Sequence, residues 1–291
     1  MCKSRVTEFD LENGSRPRYI ISGVDGNLWF TDTASDKIRR ISPSGTIGEF
    51  MVPMTAGGLG SLAVGADGNV WFVEEVLGQI GSVTSRGAVS EYAAGGLASP
   101  SGITAGPDGN IWFTEPHGNQ IGVSTLAGVI SYDPLPTADE SPAGITLGPD
   151  GNCWFVEGTN DIARITPDGT VTRFAIPTSN SGPLNIIVGG DGALWFTEVA
   201  ANQIGRISTA GSVTEFAVPT SPASPWSLTV GADSAVWFTE SSASSLGRID
   251  RSGKVTEFSV PANPTGIAGG PDGYLWFTEQ EAGKIGRFLP P

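Results

Sequence analysis

The sequence predicts an all-β fold, a seven-bladed β-propeller of four-stranded antiparallel blades, and three observations carry that expectation. A segment close to G-P-D-G-N-x-W-F-T-E recurs seven times. Its tryptophans, Trp29, Trp71, Trp112, Trp154, Trp195, Trp237 and Trp276, follow one another at intervals of 42, 41, 42, 41, 42 and 39 residues. The last repeat stops after a third strand, IGRFLPP, whereas the chain opens on Val6-Thr7-Glu8-Phe9, the pattern that closes the sixth repeat as Val255-Thr256-Glu257-Phe258.

A period near 40 with short strands between Gly-rich turns fits one four-stranded blade per repeat. A helical solenoid of similar period would need apolar residues at 3.6-residue spacing, and none is visible. The repeats divide the chain into blades at about 16–56, 57–97, 98–138, 139–180, 181–221, 222–261, and 262–291 plus 6–11. The whole of 1–291 is then a single domain.

The fifth repeat justifies each element in turn. Residues 185–188 (NIIV) read as the innermost strand, and Gly190-Asp191-Gly192 as a tight turn in which glycine supplies positive φ. Residues 194–198 (LWFTE) form the second strand, 203–208 (QIGRIS) the third and 213–218 (VTEFAV) the outermost. Pro219 ends the ladder because it has no N–H to donate. The repeated Trp and Phe supply the packing between blades, each ring burying ~150–250 Å². Pairing 6–11 with 284–288 completes blade seven and removes an open sheet edge, which also places the natural N-terminus close to Met1.

Composition bounds the partners. The 291-residue chain carries a net charge of −14, which repels a phosphate backbone and argues against nucleic acid. No stretch approaches the ~20 apolar residues of a membrane span, and the start has no apolar signal-peptide core. A cytoplasmic monomer with a small-molecule ligand is the expectation. Of the two cysteines, Cys2 falls in a frayed terminus and Cys153 in a strand beside Trp154, so Cys153 reads as a small buried thiol rather than half of a disulfide.

Propeller connectivity predicts where a site lies. The loop after W-F-T-E and the loop entering the next blade share the top face, and two rings of side chains are expected around the channel mouth. One follows the proline, or its equivalent, twelve residues before each tryptophan: Arg18, Gly60, Ser101, Ala143, Leu184, Trp226 and Thr265. The other lies three residues after each tryptophan and is acidic throughout: Asp32, Glu74, Glu115, Glu157, Glu198, Glu240 and Glu279. A residue present in every blade does a repeated structural job, such as accepting backbone N–H bonds. The first ring varies, and holds Trp226, the one tryptophan outside the repeated position, as channel filler or as a stacking platform for a flat apolar ligand. Arg18, beside Tyr19, is a rim arginine paired with an acid or a group that holds a carboxylate or carbonyl.

His117 is the sole histidine, in the loop Pro116-His117-Gly118 between second and third strands, set back from the axis. It is a weak candidate for a general base. One His and scattered Cys do not make a zinc site, and no Ser/His/Asp set, phosphate loop or dinucleotide fingerprint is present.

The motif P-x-G-I-T-x-G-P-D-G-x-[LI]-W-F-T-E…[KQ]-I-G-R-I…G-x-V-T-E-F-x-V-P, seen at 100–122, 142–176, 183–219 and 264–287, resembles the virginiamycin B lyase (streptogramin lyase) family along essentially the whole chain. The resemblance implies a metal-dependent lyase that opens a cyclic depsipeptide antibiotic by elimination across its ester. In such a site a histidine takes the proton beside a carbonyl while Mg²⁺ on two glutamates polarises it. Position by position, the family's catalytic histidine corresponds to Thr265 and its metal glutamates to Asn263 and Gln280, with Glu281 one residue from the latter. A further substrate-side histidine corresponds to Trp226, and a substrate-side tyrosine to Arg18, which Tyr19 adjoins. Fold alone does not license that activity.

Three readings follow. The first is a remodelled top-face pocket for a mainly apolar small molecule or natural product, catalysing a metal-independent lyase, cyclase or isomerisation reaction. Its ligand contacts would be Arg18, Tyr19, Ser101, Leu184, Asn185, Trp226, Thr265 and Gln280, with no metal. Trp226 and Leu184 would form its floor. The second is a non-catalytic propeller that binds a ligand or protein. The third is an Mg²⁺-dependent streptogramin B lyase with displaced residues, using His117 or Glu281. The weak catalytic candidates are Arg18, Tyr19, His117, Thr265 and Glu281.

Overall fold

In a computed structural model of the chain, residues 5–53, 58–95, 99–138 and 140–291 are described. Cys2 and the blade boundaries expected at 56/57 and 97/98 lie outside them. The W-F-T-E segments form five-residue strands such as Leu28–Asp32 and Leu194–Glu198, with every residue buried. Such a strand has a neighbouring blade on each face, so it cannot alternate apolar with polar residues. The outer strands, for example Val213–Ala217 and Val255–Ser259, face neighbours more thinly and alternate half-buried with exposed positions.

These strands build seven four-stranded antiparallel sheets. Six run inner to outer in chain order, and the seventh closes the ring. In blade seven the strand Val6–Asp10 adds to Lys284–Phe288, with Val6 opposite Phe288 and Asp10 opposite Lys284. Leu11 N adds a bond to Gly283 O at 3.1 Å, so the expected pairing of 6–11 with 284–288 holds. In blade five the inner strand is longer than expected, Pro183–Val188, because pairing resumes beyond a bulge.

Adjacent blades are held by the repeated tryptophans, each 2% exposed or less. Trp29 packs on Leu62 and Phe72 of blade two, and Trp154 on Ile186 and Phe196 of blade five. The same rings stack on the outer-strand phenylalanine of their own blade, Trp154 on Phe174 at 5.3 Å and Trp195 on Phe216 at 5.7 Å. Every indole Nε1–H donates to the aspartate four residues earlier, at 3.0–3.3 Å, which explains the Asp of the P-D-G-N turn. Cys153 is free and fully buried, and burial pushes its thiol up to about 12.

Candidate functional site

The top of the inner strands is irregular. In blade one Pro17 pairs with Asp32, yet the next pair is Ile20 with Phe30; blades two, four, five and six shift register at the same place. The residues caught in the shifts are Arg18-Tyr19, Gly60-Ser61, Ala143-Gly144, Leu184-Asn185 and Trp226-Ser227. A bulge frees backbone amides and re-aims side chains, a common device beside binding sites. The freed amides go to the threonine of W-F-T-E: Tyr19 N to Thr31 Oγ1 at 3.2 Å, Asn185 N to Thr197 at 3.1 Å and Ser227 N to Thr239 at 3.1 Å. That hydroxyl can also donate across to the next blade, Thr239 to Thr265 O at 2.6 Å and Thr278 to Arg18 O at 2.8 Å. The repeated Thr is therefore a blade-to-blade stitch. It was visible in the repeat, but only the bulge gives it a purpose.

Three spaces surround these bulges. The axial channel, about 320 Å³, is lined by Tyr19, Thr104, Thr146, Asn185, Ser227 and other inner-strand residues. Above it a recess of about 30 Å³ is bounded by Tyr19, Ser101, Leu184, Asn185 and Trp226. An off-axis hollow of about 450 Å³ lies between blades seven, one and two, lined by Arg16, Arg18, Leu59, Glu75, Val76 and Gln280 among others. Trp226 and Leu184, expected as the floor of a top-face pocket, border the small recess and neither of the two larger spaces. The rings of Tyr19 and Trp226, 5.1 Å apart, fill the mouth instead. Space remains there for roughly two waters, and the larger space is displaced toward Arg18.

Arg18 completes an aromatic cluster. Its guanidinium lies 5.0 Å from the Tyr19 ring centre and 5.7 Å from that of Trp226, with Glu75 Oε2 3.5 Å from Nη1. Burial pushes the Tyr19 phenol up to about 12, with Arg18 lowering and Glu75 raising it, so at neutral pH it is a donor and not a base.

The other expected residues are used elsewhere. Thr265 Oγ1 is 2.8 Å from Thr278 Oγ1, inside its own blade, and Thr265 lines none of the three spaces. His117 is exposed on the blade-three loop and likewise lines none of them. Glu281, with its side chain 75% exposed, is bound to Arg16. Gln280 faces the off-axis hollow and Ser101 the small recess.

The acidic ring does not surround the channel mouth. All seven carboxylates are 2% exposed or less, each on the last residue of a second strand, inside the blade. The position is structural, although backbone capping is only part of its job. Asp32 accepts from Arg16 N at 2.9 Å and Ala34 N at 3.2 Å and meets Arg39 at 3.1 Å. Burial opposes its ionisation, but the Arg16 amide, nearby hydroxyls and Arg39 hold it below the usual range. Glu115 accepts from Gln120 Nε2 at 2.6 Å, and in four other blades the partner is a second acid. Burial first, and then a facing carboxylate, push Glu74 (by Glu91) and Glu198 (by Glu215) up to about 8, and Glu240 (by Glu257) and Glu279 (by Glu8) up to about 7. Glu157 is also raised to about 7, by burial against the lowering effect of Arg173 and with help from Glu140. Glu140, Glu157 and Asp161 approach one another closely enough for a cation, but Arg173 already bridges the first two at 2.8 and 2.9 Å.

Seven four-stranded antiparallel sheets, closed by the N-terminal strand, define the class of seven-bladed β-propellers. The chain matches the sequence model of the virginiamycin B lyase family over residues 1–178 and 158–290. It belongs to that family. Among solved structures it is similar to a streptogramin B lyase at 39% identity, covering 98% of this chain and 97% of that one with a TM-score of 0.93. It is also similar to the virginiamycin B lyase of Staphylococcus aureus, at 40% identity, 98% and 99% coverage and a TM-score of 0.92. A catalytically inactive histidine-to-alanine variant of that enzyme with quinupristin matches at 39% identity, the same coverage and a TM-score of 0.92. Among curated proteins none matches the chain.

The Mg²⁺ that the family resemblance implies does not fit the residues present. Asn263 Oδ1 accepts from Ser244 Oγ at 2.6 Å, and Gln280 is a neutral amide. The adjacent carboxylate of Glu281 is taken by Arg16. A hard divalent cation requires charged oxygen donors to offset its dehydration, and this set does not offer them.

Proposed function

We propose that this propeller binds a mainly apolar small molecule on its top face, in the hollow beside Arg18, and transforms it without a metal in a lyase, cyclase or isomerisation reaction. The observation that carries the reading is the hollow of about 450 Å³ bordered by Arg18, whose guanidinium is held over the rings of Tyr19 and Trp226. Such a site works by holding the ligand in a reactive conformation and by donating to developing negative charge from Arg18. A relative's histidine-to-alanine variant is catalytically inactive, whereas the one histidine here is exposed on a loop. That contrast supports a chemistry other than the relatives'.

A second reading, binding without turnover, is favoured by one observation: Thr265 and Asn263 are spent on Thr278 and Ser244 and offer no base. Native mass spectrometry of the purified protein tests both. A co-purifying small molecule whose retention is lost in Trp226→Ala supports the pocket. Conversion of that molecule on incubation separates turnover from binding, and retention unchanged in Trp226→Ala overturns the site.

A further inference from the structure

Among the described residues five arginines lie over aromatic rings, and four of them belong to the fold. Arg40, Arg164, Arg206 and Arg287 cover the repeated tryptophans Trp29, Trp154, Trp195 and Trp276 at 5.4–5.7 Å. Each also spends its donors on the scaffold. Arg40 reaches Ser85 O at 2.8 Å, Arg164 Thr209 O at 3.3 Å, Arg206 Asp191 at 2.8 Å and Arg287 Pro43 O at 2.7 Å.

Arg18 is the fifth and behaves differently. It is held over Tyr19 and Trp226, yet among the described residues its side chain makes no hydrogen bond. Its nearest carboxylate oxygen, on Glu75, is 3.5 Å away, beyond good hydrogen-bond length. A guanidinium carries five donors in a planar fork that matches a carboxylate. Here the fork is oriented by two rings, a third exposed, and borders a hollow that also presents Val76, 64% exposed. Apolar surface and an unspent fork within one hollow describe the two ends of one ligand.

We propose that Arg18 is a carboxylate-recognition residue and that the ligand class is a small amphipathic carboxylate, its apolar part against Val76 in the hollow and its charged end on Arg18. The inference rests on the pocket reading above and specifies it. In the free protein Glu75 stands in for the ligand's carboxylate at long range, so it competes with it. The net charge of −14 gives no long-range attraction for an anion, so recognition must come from this local contact.

Calorimetric titration of the full chain with 2-naphthoate and with the neutral 2-naphthamide tests the proposal. The wild type should bind the carboxylate about 10- to 100-fold more tightly than the amide, the worth of a charge-assisted bidentate contact. Arg18→Gln should abolish that preference while keeping amide binding, and Glu75→Gln should tighten carboxylate binding several-fold. Thermal melts that match the wild type show that both variants are folded. Equal affinity for the two probes in the wild type, or a preference surviving Arg18→Gln, overturns the carboxylate assignment and leaves the pocket standing. Failure of both probes to bind overturns the pocket as well.

Discussion

The ring of Tyr19 lies 5.1 Å from that of Trp226, tilted by 46°, although the two come from blades one and six with blade seven between them. Only an axial contact can join such blades. The pair therefore belongs to the channel mouth and not to the packing between neighbours, which separates the consequences of losing Trp226 from those of losing a repeated tryptophan. Trp226→Ala should change global stability by less than about 1 kcal/mol, whereas Trp195→Ala should cost about 3–5 kcal/mol. Urea unfolding of the two variants makes the comparison, and similar losses in both would contradict it.

Ring closure can be weakened at one residue. Phe9 stacks on Trp276 at 5.3 Å and lies beneath Arg287 at 5.6 Å. Phe9→Ala should destabilise the protein by about 2–4 kcal/mol. Proteolysis of the variant should begin at the N-terminal strand, as expected if that strand is what shuts the edge.

The threonine stitch predicts a measured loss without misfolding. Thr278 Oγ1 accepts from Gly266 N at 2.8 Å and donates to Arg18 O. Val73 and Val156 occupy the same place in blades two and four, so valine fits. Thr278→Val should fold but lose about 1–3 kcal/mol through the stranded Gly266 N–H and Arg18 carbonyl. Unchanged stability would show that water replaces the hydroxyl.

Stability should fall as pH rises. Glu74, Glu157, Glu198, Glu240 and Glu279 titrate near 7–8 in the fold but near the ordinary carboxylate value when unfolded. A raised acid binds its proton more tightly in the native state, so its contribution is complete below about pH 4 and is lost as pH climbs through 7–8. The thermal midpoint should be higher at pH 5.5 than at pH 8.5, and Glu198→Gln should make that dependence shallower. A midpoint flat or rising over this range would mean that burial does not hold these carboxylates protonated.

Thiol chemistry checks the core. With Cys2 changed to serine, Cys153 in the native protein should react with a disulfide reagent only as fast as the protein opens, because the thiol is buried and raised to about 12. Rapid modification in buffer, without denaturant, would contradict the packing beside Trp154.

The repeat made the blades legible because W-F-T-E carries its own explanation. A strand covered on both faces must be apolar throughout, and a Gly-rich turn must precede it. The missing outer strand of blade seven was legible for the same reason, as an unpaired edge has to be closed. The acidic position was legible as structural but not as one of two facing carboxylates, because the partner comes from the outer strand, apart in sequence: Glu240 faces Glu257, and Glu279 faces Glu8. The site was legible only as a set of variable positions. Thr265 and His117 carry the right chemistry by type but stand apart from the hollow, one bonded within its blade and the other exposed on a loop.

The sequence by itself determined the blade count, the strand order, the closure at Val6–Asp10 and the family, since each depends on local pattern repeated along the chain. Tertiary structure decided where open space lies on the loop face. The bulge after each inner-strand proline re-aims its residues, so Tyr19 and Trp226 meet across the axis and fill it. The open space is left to one side, bordered by Arg18.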